Sequence, residues 1–213
     1  MSALVKICGL KTAAMVDAAL DAGADMLGFV FFARSPRHVT LDAAAALGAR
    51  VAGRARKVAL TVDADDAALD AVVAALKPDL LQLHGRESPA RTAAVAARCG
   101  LPVMKALGVA TRDDLAVVSD YAPLCERLLF DAKPPEGAVL PGGNGLPFDW
   151  TLLAGYDPGV PWMLSGGLSP ANVAEAVRRT GAPGVDVSSG VETAPGVKDA
   201  GLIRAFVAAA RGA

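Results

Sequence analysis

A repeat constrains the fold of this chain more than any other feature. Short apolar, β-branched or aromatic runs recur eight times along the 213 residues, followed by alanine-rich stretches whose apolar residues fall at helical spacing. The expected strands are 5–8 (VKIC), 26–32, 57–62, 80–84, 102–107, 127–132 (RLLFDA), 161–166 and 184–189 (GVDVSS), one about every 27 residues. That spacing is close to the ~30 residues of one βαβ unit. Helices are expected over 11–23, 41–53, 65–77, 88–100, 111–121, 169–181 and 198–212, several opening on a Thr, Asp or Ser cap, with Gly23, Gly100 and Gly181 as stops. GAVLPGGNG (137–145) reads as a loop after the sixth strand. Strand then helix, repeated, implies parallel strands with right-handed crossovers. Eight such units without an internal boundary predict one α/β domain over 1–213, a closed (β/α)8 TIM barrel; an open doubly wound sheet is the alternative.

Composition narrows the partners. A net charge of −1 argues against a nucleic-acid surface, whose affinity rests on Lys and Arg neutralising phosphates. No apolar run reaches the ~18 residues of a membrane span, and the N-terminus does not read as a signal peptide, so a cytoplasmic protein with no membrane partner is expected. Cys8, Cys99 and Cys125 are an odd number at unrelated spacings, which disfavours a disulfide framework. His38 and His84 are far apart and lack neighbouring cysteines, so no metal is expected.

A barrel of this kind assembles its active site at the carboxyl ends of the strands. Read in order, those ends offer Cys8, Arg37, Asp63, His84, Lys105, Asp131, the Ser165-Gly166-Gly167 turn and Ser188-Ser189-Gly190. The glycine turns after strands seven and eight are where such barrels commonly hold a phosphate, although either may simply begin a helix. Strand alternation puts Lys6 on the side of Cys8, where its ammonium would favour a thiolate able to remove a carbon-bound proton. The alternative for Cys8 is a packed structural thiol. Asp131 closes an apolar run, where desolvation would help it keep a proton for use as a general acid; a helix cap is the other reading. Asp186 points inward or outward by alternation alone; facing inward, it could pair with Lys6 across the closing seam. Arg37, on a proline-flanked loop, suits a substrate carboxylate, or is an ordinary solvated arginine.

These stretches, in this order, resemble the phosphoribosylanthranilate isomerase family of tryptophan biosynthesis along essentially the whole chain. The matching pieces are VKICGL (5–10), GADMLGFVFFARSPRHV (23–39), LLQLHGRE (80–87), LLFDA (128–132), PGGNGLPFDW (141–150), LSGGLSPANV (164–173) and GVDVSSGVETAPGVKD (184–199). The resemblance implies that Cys8 is the general base and Asp131 the general acid of an Amadori rearrangement of a phosphoribosyl-anthranilate substrate. It also implies that Arg37 holds the anthranilate carboxylate and that Gly166, Gly167, Ser189 and Gly190 line the phosphate site. Lys6, His84 and Asp186 are expected to line the substrate site, with no role assigned to His84 beyond the rim. No cofactor is expected, and a monomer is expected. Lys11, Asn144 and Ser165 depart from the family's usual residues, which bears on loop details and not on Cys8 or Asp131.

Three rival readings use the same residues less well. Another phosphosugar barrel enzyme would want metal ligands on the rim, or an aspartate in place of Cys8. A non-catalytic phosphate-binding barrel leaves the pairing of Cys8 with Asp131 unexplained. A redox thiol protein would want a resolving cysteine near Cys8.

Overall fold

The structure, a computed structural model, describes residues 2–133 and 148–213. Eight parallel strands close on themselves in sequence order: β1 (Leu4–Cys8), β2 (Met26–Phe31), β3 (Arg56–Thr61), β4 (Leu80–Leu83), β5 (Val103–Val109), β6 (Arg127–Ala132), β7 (Trp162–Leu164) and β8 (Gly184–Val187). The seam is made by β1 against β8, with Lys6 opposite Asp186. The closed barrel is therefore present, and the open sheet is excluded.

The helices sit between the strands: α1 (Ala13–Asp21), α2 (Leu41–Val51), α3 (Asp66–Leu76), α4 (Pro89–Cys99), the single turn α5 (Val118–Tyr121), α6 (Val173–Thr180) and α7 (Ala200–Arg211). Side chains of Thr12, Thr40, Asp65, Ser88 and Asp199 accept the first free N–H groups of α1, α2, α3, α4 and α7, while Gly100 and Gly181 end α4 and α6 in the left-handed conformation. Gly23 lies one residue beyond the C-cap of α1. Among the described residues, no helix is long and apolar enough to cross a membrane.

Alternation along each strand divides the core in two. Val5, Ile7, Phe29, Ala59, Leu81, Leu128, Phe130 and Val185 pack outward under the helices. Met26, Val58, Leu80, Met104, Ala106, Leu129 and Met163 fill the barrel's interior floor, and Cys8, Val30 and Leu60 form a smaller apolar patch at the other end.

Three expectations change. The segment 111–121 is a 3-10 helix, Arg112–Val117, running into α5, because the Asp114 carboxylate takes the N–H groups of Ala110 and Thr111 and tightens the first turn. After β8 the chain forms a 3-10 turn at Ser189–Val191 and then a small antiparallel ribbon, β9 (Glu192–Ala194) with β10 (Val197–Lys198), which strand periodicity did not anticipate. β7 stops at Leu164, since Gly166 turns the chain at φ 86°. The expected loop 137–145 and Asn144 lie outside the described residues.

Candidate active site

Lys6 and Cys8 both face the interior of β1 and are buried. They fit because β2 carries a glycine opposite them: a Cβ on Gly28 would lie 2.9 Å from the Cys8 sulfur and 3.2 Å from Lys6 Nζ. Lys6 Nζ donates to Asp186 Oδ1 at 2.7 Å across the seam, and Ser165 Oγ donates to Asp186 Oδ2 at 3.2 Å. Ser165, one of the departures from the family pattern, thus supports the ion pair.

Burial disfavours the Lys6 cation, but Asp186 and Cys8 outweigh it and the ammonium is held above the ordinary lysine value. For Cys8 the balance falls the other way from the expected one. Burial pushes the thiol up, and Asp186 adds to this; Lys6 and Lys198 pull it down without prevailing. Burial and Asp186 thus favour the thiol over the thiolate that the neighbouring cation alone would support.

Asp131 faces inward on β6, at the same mouth as Cys8, and is 6% exposed. Its Oδ1 accepts the N–H of Ala132 at 2.9 Å, and Oδ2 lies 3.2 Å from His84 Nε2. His84 Nδ1 is 2.9 Å from the side-chain amide of Gln82, so β4 presents a held imidazole to the carboxyl of β6. His84 is therefore more than rim lining: it touches the candidate acid. Gly166 permits close approach here, since a Cβ on it would meet the Ala132 nitrogen at 2.5 Å and Asp131 Oδ1 at 3.1 Å.

Two rim candidates do not enter the site. Lys105 alternates with inward Met104 and Ala106, so it turns outward, where its ammonium binds Leu83 O, Gly85 O and Glu87 Oε2. Asp63 accepts the N–H of Arg86, and Glu87 accepts those of Asp63 and Gly85. Together they clip the segment that follows His84.

Arg37 is 6% exposed, which corrects the reading of it as an ordinary solvated arginine. Its stem lies over Gly9, next to Cys8; a Cβ on Gly9, at φ 82°, would be 2.7 Å from Arg37 Cδ. Its Nε and Nη2 donate to the two oxygens of Glu192, each at 2.8 Å. Lys11, another departure, donates to Pro36 O at 2.8 Å and ties down the same loop.

The turns after β7 and β8 meet. Gly190 packs so tightly on the carbonyl of Leu168 that a Cβ there would be 1.8 Å from its oxygen. Asn172 holds the first turn, accepting from Ser169 N and donating to Gly167 O. Gly166, Gly167, Ser189 and Gly190 are thereby brought into one neighbourhood, with Ser188 Oγ donating to Cys8 O at 3.2 Å.

A sequence model of the family described as N-(5'-phosphoribosyl)anthranilate isomerase matches residues 5–209. The chain belongs to the phosphoribosylanthranilate isomerase family. Among its relatives, an N-(5'-phosphoribosyl)anthranilate isomerase from Rhodopseudomonas palustris strain HaA2 is 63% identical, over 99% of this chain and 97% of that one. Among solved structures, the phosphoribosylanthranilate isomerase of Thermotoga maritima superposes with a TM-score of 0.89 at 32% identity, covering 99% of this chain and 100% of that chain. A phosphoribosylanthranilate isomerase in complex with reduced 1-(o-carboxyphenylamino)-1-deoxyribulose 5-phosphate gives 0.86 at 31% identity, with the same coverage. Membership in the phosphoribosylanthranilate isomerase family removes the readings as another phosphosugar barrel enzyme and as a redox thiol protein.

Four residues at the site escape a strand-end reading: Gly28, Gln82, Glu192 and Lys198. Gly28 had a visible signal, a glycine inside a strand pattern marking close approach. Glu192 and Lys198 had none, because their partners are fixed by the ribbon's pairing and not by any period.

Proposed function

We propose that the chain isomerises N-(5'-phosphoribosyl)anthranilate to 1-(2-carboxyphenylamino)-1-deoxyribulose 5-phosphate in tryptophan biosynthesis, with Asp131 as general acid and Cys8 as general base. Protonated Asp131 gives its proton to the furanose ring oxygen as the bond from that oxygen to C1 breaks, and the anthranilate nitrogen supplies the pair that forms C1=N. The Cys8 thiolate then takes the proton from C2. Those electrons form C1=C2 and return the pair to nitrogen, giving an enolamine that tautomerises to the ketone. The sequence is redox-neutral overall, so its balance needs no external oxidant or cofactor.

One observation carries this assignment: Cys8 and Asp131 face inward at the same mouth of one barrel, each beside a polar partner, the buried Lys6 for the thiol and the partly buried His84 for the carboxyl. Arg37, its stem over Gly9, is assigned to the anthranilate carboxylate. Gly166, Gly167, Ser189 and Gly190 are assigned to the phosphate, in keeping with the contact between their two turns. Lys6, Asp186 and His84 line the sugar's place between them. A single barrel domain acting as a cytoplasmic monomer is part of this proposal.

Cys8→Ser and Asp131→Asn test it. Each is expected to lower turnover by about 100-fold or more, the usual scale for a lost proton-transfer group, with circular dichroism unchanged. Neither gene should rescue a tryptophan auxotroph lacking this isomerase. Near-normal turnover of either variant removes that residue from its role.

A further inference from the structure

Two buried charged side chains beside the site have no part in the proton transfers. Glu192 and Lys198 face each other across the β9–β10 ribbon, with side chains 4% and 2% exposed. Glu192 grips Arg37 through both oxygens at 2.8 Å, and Lys198 Nζ donates to Glu192 Oε1 at 2.7 Å. Lys198 also donates to Ser188 O and Oγ, at 2.9 and 3.2 Å, and so anchors the ribbon to the turn that touches Cys8. At the ribbon's other end Gly196 N donates to Glu192 Oε2 at 3.1 Å. A Cβ on Gly196 would be 2.5 Å from Pro36 O, so the ribbon's tip lies directly on the loop that bears Arg37.

A bidentate carboxylate on the Nε–Nη2 edge fixes the plane of a guanidinium, which sets where the rest of the fork points. An arginine already held in one rotamer does not lose that freedom again when a ligand arrives. Glu192 is fit for the task as an anion: burial opposes ionisation, but Arg37 and Lys198 hold its carboxyl below the usual range.

We propose that Glu192, braced by Lys198, is a positioning residue that orients Arg37 and thereby makes the site selective for an arylamine bearing a carboxylate over one without it. This rests on the assignment of Arg37 to that carboxylate.

Two stable probes separate the two claims: reduced 1-(2-carboxyphenylamino)-1-deoxyribulose 5-phosphate, and the reduced phenylamino counterpart that lacks the carboxylate. Calorimetric titration of the full chain measures the affinity of each. Glu192→Gln is expected to weaken the carboxylate probe by about 10-fold or more, on the scale of a lost charged hydrogen bond, while the other probe changes by less than about 2-fold. Glu192→Asp, which keeps the charge and shortens the arm, shows the same selective loss and stands in if the Gln variant does not fold. Lys198→Met gives a smaller loss of the same kind. Equal weakening of both probes in the Glu192 variants means a merely structural role and overturns the proposal, as does no weakening of either. Arg37→Met is the control on the underlying assignment. If it abolishes the preference for the carboxylate while the Glu192 variants keep it, the positioning proposal alone fails; if it leaves that preference intact, the assignment of Arg37 fails first.

Discussion

The thiol proposed as the carbon base is, in this barrel, harder to ionise than a free one. Burial raises the Cys8 pKa most, Asp186 raises it further, and Lys6 and Lys198 oppose them. The thiolate fraction is therefore small at neutral pH and grows as pH rises. The ultraviolet absorbance of the Cys8 thiolate, read as the difference between the parent chain and Cys8→Ser over a pH titration, is expected to appear only above the ordinary thiol range. Lys6→Met, which removes the cation at the sulfur, pushes that transition higher still; a Cys8 transition at or below the ordinary thiol value in the parent chain would overturn this balance. The sign for stability is opposite. A thiol whose folded pKa is raised contributes its stabilisation fully below the unfolded value and loses it as pH rises through the folded one, so alkali activates the base while loosening its seat. Alternation was enough to place Lys6 with Cys8, and the closing seam of an eight-stranded barrel brought Asp186 within reach of Lys6. The sign of the balance was not legible, because it depends on depth of burial, which Gly28 on a neighbouring strand makes possible.

The elements divide in the same way. All eight strand positions and the long helices follow from local period and caps, since alternation and 3.6-residue spacing act within a few residues. The segment after β5 breaks the pattern because one carboxylate dominates it. Asp114 is opposed by burial, yet Lys133 and the N–H groups of Ala110 and Thr111 hold it at about 2. A lowered carboxyl contributes stability above its unfolded pKa and loses it as pH falls through the folded one. The stability difference between the parent chain and Asp114→Asn, measured by urea unfolding, should be constant near neutrality and shrink as pH falls from about 4 towards 2. A difference that does not change with pH would mean that the cap acts without its charge. The β9–β10 ribbon was invisible for another reason: its few paired residues carry no period, and their value lies in the contacts of Glu192 and Lys198 with distant partners.

At the scale of the molecule, the barrel is held shut from both ends of the chain. Arg211, in the last turn of α7, donates to Ala3 O at 2.8 Å, Gly23 O at 3.1 Å and Asp25 Oδ2 at 2.7 Å, and Asp25 also accepts the N–H of Val5. Arg211→Ala should cost about 1–2 kcal/mol of unfolding free energy, within the range for charged hydrogen bonds at a partly exposed site, and leave kcat unchanged. A fall in kcat at saturating substrate would show that the contact reaches the opposite mouth. Closure was legible from the count of eight units, whereas the clasp was not, since nothing in a repeat says which surface arginine meets which terminus.

The pairing of Lys6 with Asp186 joins the first strand of the barrel to the eighth. A polypeptide folding from its N-terminal side therefore carries Cys8 before the charges around it are complete. Under the proposed mechanism turnover waits until residue 186 has docked, so the first appearance of product would report the closing of the barrel.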